Sequence, residues 1–350
     1  MNEPIGVGVL GYGYAGRSFH AYLLRFDPRL KLKAVASRAL ERRERAEQDY
    51  PGVRTYETLE QMLEDPSVRL VVVATPHHVH AEECIRSMDA GRHVVVDKVM
   101  CLTTAEADAM IAARDRNRVL FSVFHNRRWD GDYMTIRQAL AEGLLGQPSL
   151  FEVGSWGYGK PRGWRAQPEE VGTLLHDWGA HFVDQALQLV SSRVEAVRAQ
   201  TQRVWADVPL ESYIGAELRF ANDVIYRLEV SRSARLGKPH WYIVGDQGAL
   251  IKEGVDPQEP AMVGGNIDSA REEPEHYARV KTEVNGIVAE MRLQTLRGSW
   301  KSFYQNIADA LADGAELAVK AEEVRRVVAV LEAVSESVRT GQVVRPAGGI

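Results

Sequence analysis

The chain has 350 residues, 45% hydrophobic and 26% charged, with a formal net charge of −5. That balance predicts a soluble globular protein of about two domains and excludes a nucleic-acid or anionic-membrane partner held by bulk charge. No run approaches ~18 consecutive apolar residues, the N-terminus has no basic-then-apolar leader, and two cysteines (Cys84 and Cys101) are too few for a disulfide framework, so a reducing cytoplasm is expected.

Short apolar runs alternate with helix-like segments through the first 124 residues. IGVGVL (5–10) reads as a strand with a helix over about 15–26 behind it, and LKAVA (32–36) as a second strand followed by the charged helix ERRERAEQ. RLVVVAT (69–75) precedes a helix over about 78–90, HVVVDK (93–98) precedes one over 104–116, and VLFSVF (119–124) closes the series. Continuous valine-rich runs suit a parallel sheet covered on both faces. The rhythm predicts an α/β, doubly wound Rossmann domain over 1–124.

Beyond residue 125 the rhythm changes. A helix near 131–143 and a strand at QPSLFEVGSW (147–156) lead into the loop GYGKPRGWRAQP, and a helix follows over about 173–190. VEAVRAQTQRV, SYIGAELRF, VIYRLEVSRS and HWYIVGD then read as strands in succession, with Asn222-Asp223 as a hairpin turn. Strands in direct succession predict an antiparallel or mixed sheet with one exposed face. Residues 254–275 read as a surface excursion, and helices over about 299–312 and 321–339 complete a second domain, 125–350.

GYGYAG sets Gly11, Gly13 and Gly16 at GxGxxG spacing around Tyr14 and Ala15, after a predicted strand and opening a predicted helix. In that context it is a dinucleotide-binding fingerprint. Gly11 allows the tight turn, Gly13 lets a pyrophosphate approach the backbone, and Gly16 lets helix pack on strand. The second strand ends at Ser37-Arg38, with no carboxylate before Glu41. A hydroxyl and a guanidinium suit a 2′-phosphate, so NADP is expected over NAD. Arg42 and Arg43 read as the solvated face of the following helix. Thr75-Pro76 follows the third predicted parallel strand, beside the expected cofactor. No cysteine or carboxylate completes a metal set with His77, His78 and His80, so these histidines are expected to cap a helix or pack on cofactor.

VVVDKVM places Lys98 at the end of a buried run, where an ammonium must be paired or used. In LLHDWGAHFVDQAL, Asp177 and His181 are four residues apart and Asp184 is seven from Asp177, so one helix would carry all three on one face. His176 and His181 are five apart where a zinc pair needs four, which favours an acid/base site over a metal.

Together, GYGYAG, ATPHHVHAE, VVVDKVM, FHNRRWDGDY (124–133), GWR (163–165), GTLLHDWGAHFVDQAL and SFYQNIADAL resemble the Gfo/Idh/MocA family over nearly the whole chain, most closely its sugar and inositol dehydrogenase branch. The resemblance implies a Rossmann domain followed by an α/β domain on a large open, mostly antiparallel sheet that makes homodimer or homotetramer contacts. It implies NADP or NAD as cofactor and a sugar, inositol or related polyol as substrate. Lys98, after Asp97, matches the family lysine that contacts cofactor and substrate, and Asp177 and His181 match its substrate-facing acid and histidine. Asn126 lies in the motif after the last Rossmann strand, and Trp164-Arg165 match a segment that reaches back to the cofactor.

Alcohol oxidation removes a hydride and a proton. His181 is expected to take the proton, Asp177 to bind a hydroxyl or orient the imidazole, and Lys98 to stabilise developing alkoxide charge. Two departures from the family pattern stand out: Asp97 replaces Glu and Val99 replaces Pro. A cis bond before valine costs ~3–4 kcal/mol, against under ~1 before proline, so a trans Lys98–Val99 bond and some loss of activity are expected. Two other functions fit parts of the pattern. One is glycoside cleavage by transient oxidation on a retained NAD; the other is a non-catalytic nucleotide and sugar sensor. The intact Lys98, Asp177 and His181 argue against the sensor.

Overall fold

The unbroken apolar run IGVGVL forms strand β1 (Ile5–Leu10), buried at every position. In the computed structural model, which describes residues 3–346, five more strands follow: β2 (Leu30–Ala36), β3 (Arg54–Tyr56), β4 (Leu70–Val73), β5 (His93–Val96) and β6 (Phe121–Val123). All pair in parallel, in the order β3-β2-β1-β4-β5-β6. The order reverses between β1 and β4, and open α/β sheets bind ligands beyond the carboxyl ends of the strands at that switch point. The short β3 and the helix Leu59–Leu63 after it were not legible in the sequence. The helix after β1 opens with a widened turn, Gly16–Ala21, and continues as Tyr22–Leu24. Helix Thr104–Asn117 starts where expected, because Thr103 and Glu106 cap each other's backbone N–H groups.

The chain forms two compact units. The first joins residues up to Asn126 with Trp300–Arg325. From sequence, both C-terminal helices group with the second domain. Helix Lys301–Asp313 instead packs in the first unit, because Phe303 and Tyr304 set their rings against Phe124 and His20. The Ser122 hydroxyl donates to the Val319 carbonyl at 2.9 Å in the same unit.

The second unit holds an eight-stranded sheet. Its strands are β7 (Pro148–Trp156), β8 (Val194–Gln202), β9 (Tyr213–Phe220), β10 (Ile225–Ser231), β11 (Trp241–Gly245), β12 (Gly248–Lys252), β13 (Ala278–Val284) and β14 (Ile287–Leu293). Their order is β14-β13-β12-β11-β7-β10-β9-β8, antiparallel except for the parallel pair β7–β10. Asp223 takes φ +64° in the turn between β9 and β10. The stretch 254–275 is more than a surface excursion. It carries helix Gln258–Val263 and buries Asp256, whose carboxylate accepts the N–H groups of Gly131 (2.7 Å) and Gln258 (2.8 Å). Among the described residues no helix is long and apolar enough to cross a membrane.

Candidate active site

The glycine turn of the first unit separates scaffolding from binding. Gly11 leaves β1 at φ +89°, and a Cβ there would lie 2.5 Å from the Ala74 carbonyl oxygen. A Cβ on Gly16 would lie 1.8 Å from the Gly11 carbonyl oxygen. The fold itself therefore demands glycine at both positions. A Cβ on Gly13 would meet only Arg42 Nη1, at 3.7 Å. That open space, at the switch point of the sheet, leaves room for a dinucleotide pyrophosphate to approach the backbone. The residues present fit that group. Tyr14 is exposed with its ring edge-on to Phe19 at 5.5 Å, and Ala15 is half-buried.

Ser37 is buried at the end of β2, and its N–H donates to Tyr56 O at 2.9 Å. Arg43 corrects the expectation of a solvated arginine. Its Nη1 donates to the carbonyls of Ser37 (2.7 Å) and Arg38 (3.1 Å) and so braces the β2 end. Arg38 and Arg42 remain exposed. Thr75 bonds Glu83 through its hydroxyl, and burial pushes the Glu83 carboxyl up to about 7 despite Thr75 and Arg38. Pro76 leads into the turn His77–Val79, where His78 is exposed.

The Lys98–Val99 peptide is cis, not the trans bond expected from sequence. Its surroundings hold the turn from both sides. Asp97 Oδ1 accepts the Lys98 N–H at 2.8 Å, and Val99 is wholly buried. The Val99 carbonyl oxygen lies 2.8 Å from His80 Nδ1, and His80 Nε2 lies 2.8 Å from Thr75 O. Burial lowers the His80 pKa, so the neutral ring donates through one nitrogen at a time. His80 thus stands between the Lys98 turn and Thr75 and donates to one of the two carbonyl oxygens. Behind Asp97 stands His20, with Nε2 at 3.6 Å, and His20 Nδ1 is 2.7 Å from Tyr304 Oη. Burial opposes the Asp97 charge, but His20 and Lys98 outweigh it and hold the carboxyl at about 2. Lys98 is half-buried and Asn126 buried. His20 and Tyr304 went unrecognised in the sequence, where nothing local marks a residue whose partner lies 284 positions away.

In the second unit the expected helix over 173–190 is broken. Pro168–Val171, Leu174–His176 and Gly179–Leu189 are separate pieces. Gly172 turns the chain at φ +83°, and the Thr173 N–H donates to His176 Nδ1 at 3.0 Å. A Cβ on Gly179 would lie 2.4 Å from Leu175 Cδ2, so the entry to the third piece also needs glycine. Asp177, His181 and Asp184 therefore do not share one helical face. Asp177 precedes the helix and accepts from Arg232 Nη2 at 3.1 Å. His181 is buried near the helix start. Asp184 is gripped by Arg128 through two bonds, 2.6 and 2.8 Å, which makes it a buried strut.

Asp177 and Arg232 line a cavity of about 250 Å³, together with Tyr158, Lys160, Arg165 and Leu210. The structure thus brings Asp177 and Arg165 to one cavity. Arg165 sits in the turn Gly163–Ala166, its guanidinium carbon 4.5 Å from the centre of the Trp164 ring. Lys160 is neutralised by Asp207 at 2.7 Å. Arg232 was missed from sequence. It follows β10, whose Ser231 lies beside Trp156 of β7, so only strand pairing delivers it. Among the described residues no three His, Cys, Asp or Glu side chains cluster to hold a metal.

A family model described as an oxidoreductase family with an NAD-binding Rossmann fold matches residues 5–125, and one for the GFO/IDH/MocA C-terminal domain matches residues 133–251. The scyllo-inositol 2-dehydrogenase (NADP(+)) IolW of Bacillus subtilis is 31% identical over 343 residues, covering 96% of this chain and 94% of its own. The oxidoreductase YdgJ of Escherichia coli is 33% identical, covering 97% and 98%. Among solved structures, the oxidoreductase yvaA of Bacillus subtilis has a TM-score of 0.91 at 30% identity, with 98% of each chain covered.

Proposed function

The chain belongs to the Gfo/Idh/MocA oxidoreductases, and from that premise we propose that it moves a hydride between NADP and a hydroxyl-bearing carbon of a sugar, inositol or related polyol. The observation that carries the substrate reading is the small cavity onto which Asp177 opens, paired with Arg232 and flanked by Tyr158 and Arg165. Its size suits a single sugar-sized ring, and a carboxylate with a guanidinium is a natural clamp for vicinal hydroxyls. The similarity to IolW, a scyllo-inositol dehydrogenase, supports the same class. The exposed Arg38 and Arg42 beside Ser37, with no carboxylate at the β2 end, support NADP over NAD.

The bound dinucleotide supplies the hydride acceptor or donor. In the oxidation direction, His181 takes the hydroxyl proton as the carbonyl forms, and Lys98 stabilises negative charge on the reacting oxygen. Asp177 holds a substrate hydroxyl. Asp97 acts through Lys98: it fixes the Lys98 backbone and adds a charge close to the ammonium. Cys84 and Cys101 are buried without a disulfide, which supports a reducing cytoplasm as the working compartment.

The test is a panel of polyols and aldoses assayed with each nicotinamide cofactor. A higher kcat/KM with NADP on at least one polyol or aldose is expected. Preference for NAD overturns the Ser37-Arg38 reading, and no turnover of any panel member overturns the substrate class. Lys98→Met and His181→Ala are each expected to lower kcat about 10²- to 10⁴-fold while the variants stay folded. Near wild-type turnover in either variant removes that residue from the mechanism.

A further inference from the structure

His20 lies in the turn Gly16–Ala21 and Tyr304 in helix Lys301–Asp313, and both are fully buried. His20 Nδ1 is 2.7 Å from Tyr304 Oη, which is a hydrogen bond. His20 Nε2 is 3.6 Å from Asp97 Oδ1, which is longer than a hydrogen bond and makes an electrostatic contact. Nε2 has no hydrogen-bond partner among the described residues. The same Oδ1 accepts the Lys98 N–H at 2.8 Å. One carboxylate oxygen therefore serves both the imidazole and the Lys98 backbone.

Chemistry fixes which nitrogen carries the proton. Burial, and after it the Asp97 charge, push the Tyr304 hydroxyl well above its ordinary value, so the phenol keeps its proton. Among the described residues its one hydrogen-bond partner is His20 Nδ1. A buried hydroxyl that donates there leaves Nδ1 as the acceptor and puts the ring's own proton on Nε2. The opposite tautomer would turn a lone pair of Nε2 toward a carboxylate, and a doubly protonated ring again carries a proton on Nε2. The other titratable groups that act on Asp97 are Lys98 and His80, and both favour its charge. Aromatic rings pack the histidine in place. Phe124 lies 4.5 Å from it, centre to centre, and Phe303 and Tyr304 lie 4.9 and 6.1 Å from Phe124. In so dry a setting an N–H dipole facing a charge counts for more than it would in water.

We propose that His20 and Tyr304 are positioning residues for Lys98. The Tyr304 hydroxyl sets the His20 tautomer, the Nε2–H of His20 holds Asp97 Oδ1, and Asp97 holds the Lys98 backbone so that the ammonium meets the reacting oxygen. The inference rests on the reading of Lys98 as the charge that stabilises that oxygen.

Nitrogen and carbon NMR shifts of the imidazole in the full chain test the tautomer without reference to activity, with the His20 signal assigned by its loss in His20→Gln. A proton on Nε2 is expected, and a neutral ring protonated on Nδ1 overturns the proposal. The kinetic test uses amides as partial imidazoles. The side-chain nitrogen of His20→Gln takes the place of Nε2, and that of His20→Asn the place of Nδ1. His20→Asn is expected to lower kcat on the best polyol about 10- to 10²-fold, with KM and the NADP dissociation constant near wild type, while His20→Gln stays within about threefold of wild type. Tyr304→Phe releases the tautomer and is expected to lower kcat about two- to tenfold. A merely structural role would shift the melting temperature of both amide variants and leave their kcat values alike, and equal kcat in the two overturns the proposal. In an Asp97→Asn background, His20→Asn is expected to cost nothing further, because the route through the carboxylate is already cut. A full additional loss there overturns that route. Near wild-type turnover in Lys98→Met removes the premise and this inference with it. Failure of the inference alone shows differently, as an inactive Lys98→Met beside amide variants of equal kcat.

Discussion

The nucleotide crevice of the first unit and the Asp177 cavity of the second are built by different means. The crevice is made of backbone. Gly11, Gly13 and Gly16 lie within six residues, and Thr75 and Ser37 each stand at the end of a parallel strand. The cavity is made of side chains from separate stretches: Tyr158 and Arg165 from one loop, Asp177 from a broken helix, Leu210 from another loop and Arg232 from beyond a strand. A backbone site needs particular residues at short fixed spacing, because only glycine tolerates the turn and the close approach. A side-chain site needs only that sheet pairing deliver suitable groups to one place, and no spacing records that.

The contrast predicts that the two regions break differently. The largest effect belongs to Gly16→Ala, whose Cβ would sit 1.8 Å from the Gly11 carbonyl oxygen and force the β1 turn to move. Loss of soluble protein, or a large fall in melting temperature, is expected. Gly13→Ala sharpens the point, since its Cβ enters open space. Its melting temperature should match wild type while NADP binds at least about tenfold more weakly, a loss of roughly 1.4 kcal/mol, measured by titration calorimetry. Wild-type affinity in Gly13→Ala would sink the assignment of the cradle.

In the cavity the expected loss is confined to substrate. Arg232→Ala removes a charged hydrogen bond to Asp177, worth about 1.5–3 kcal/mol if the substrate uses the same pair. KM for the best polyol should rise about tenfold or more, with the NADP dissociation constant unchanged. A shift in nucleotide affinity at constant KM would dissolve the distinction between the two regions.

Legibility follows the same division. The Rossmann strands were readable because valine runs report burial on both faces, and the glycine turn because its spacing is steric. The helix over 173–190 was misread because its apolar periodicity is helical throughout, while Gly172 and Gly179 mark the breaks only through contacts with His176 and Leu175. Asp184 looked like a site residue for the same reason, and its partner Arg128 is 56 residues away. Val99 suggested a trans bond because sequence shows the missing proline and not the His80 ring that anchors the Val99 carbonyl. β12 escaped notice because GALIK is short and does not alternate, and β14 because it opens on two adjacent apolar residues, whereas ARVKTEV of β13 alternates cleanly and was as legible as the strands before it.

The smallest expected effect separates a carboxyl of the crevice from a buried carboxyl elsewhere in the second unit by pH. Burial raises the Glu83 carboxyl in the crevice from an ordinary 4.5 to about 7, against the pull of Thr75 and Arg38. Burial, with Asp132 nearby, raises Asp256 in the second unit from 3.8 to about 6. In both cases the folded chain binds the proton more tightly than the unfolded chain does. Each group's contribution to stability is therefore complete below its ordinary value and is lost as pH rises through its raised one. The two losses overlap at acid pH, but only Glu83 still titrates between about 6 and 7. Glu83→Gln stays neutral at every pH and keeps a hydrogen-bonding partner for Thr75. It should flatten the fall in melting temperature over that upper interval and leave the fall between about 4 and 6 partly in place, because Asp256 continues to lose its proton there. A variant that follows wild type across the whole range would show that Glu83 ionises in the fold as it does in the unfolded chain, with the Thr75 hydroxyl donating to a carboxylate open to water.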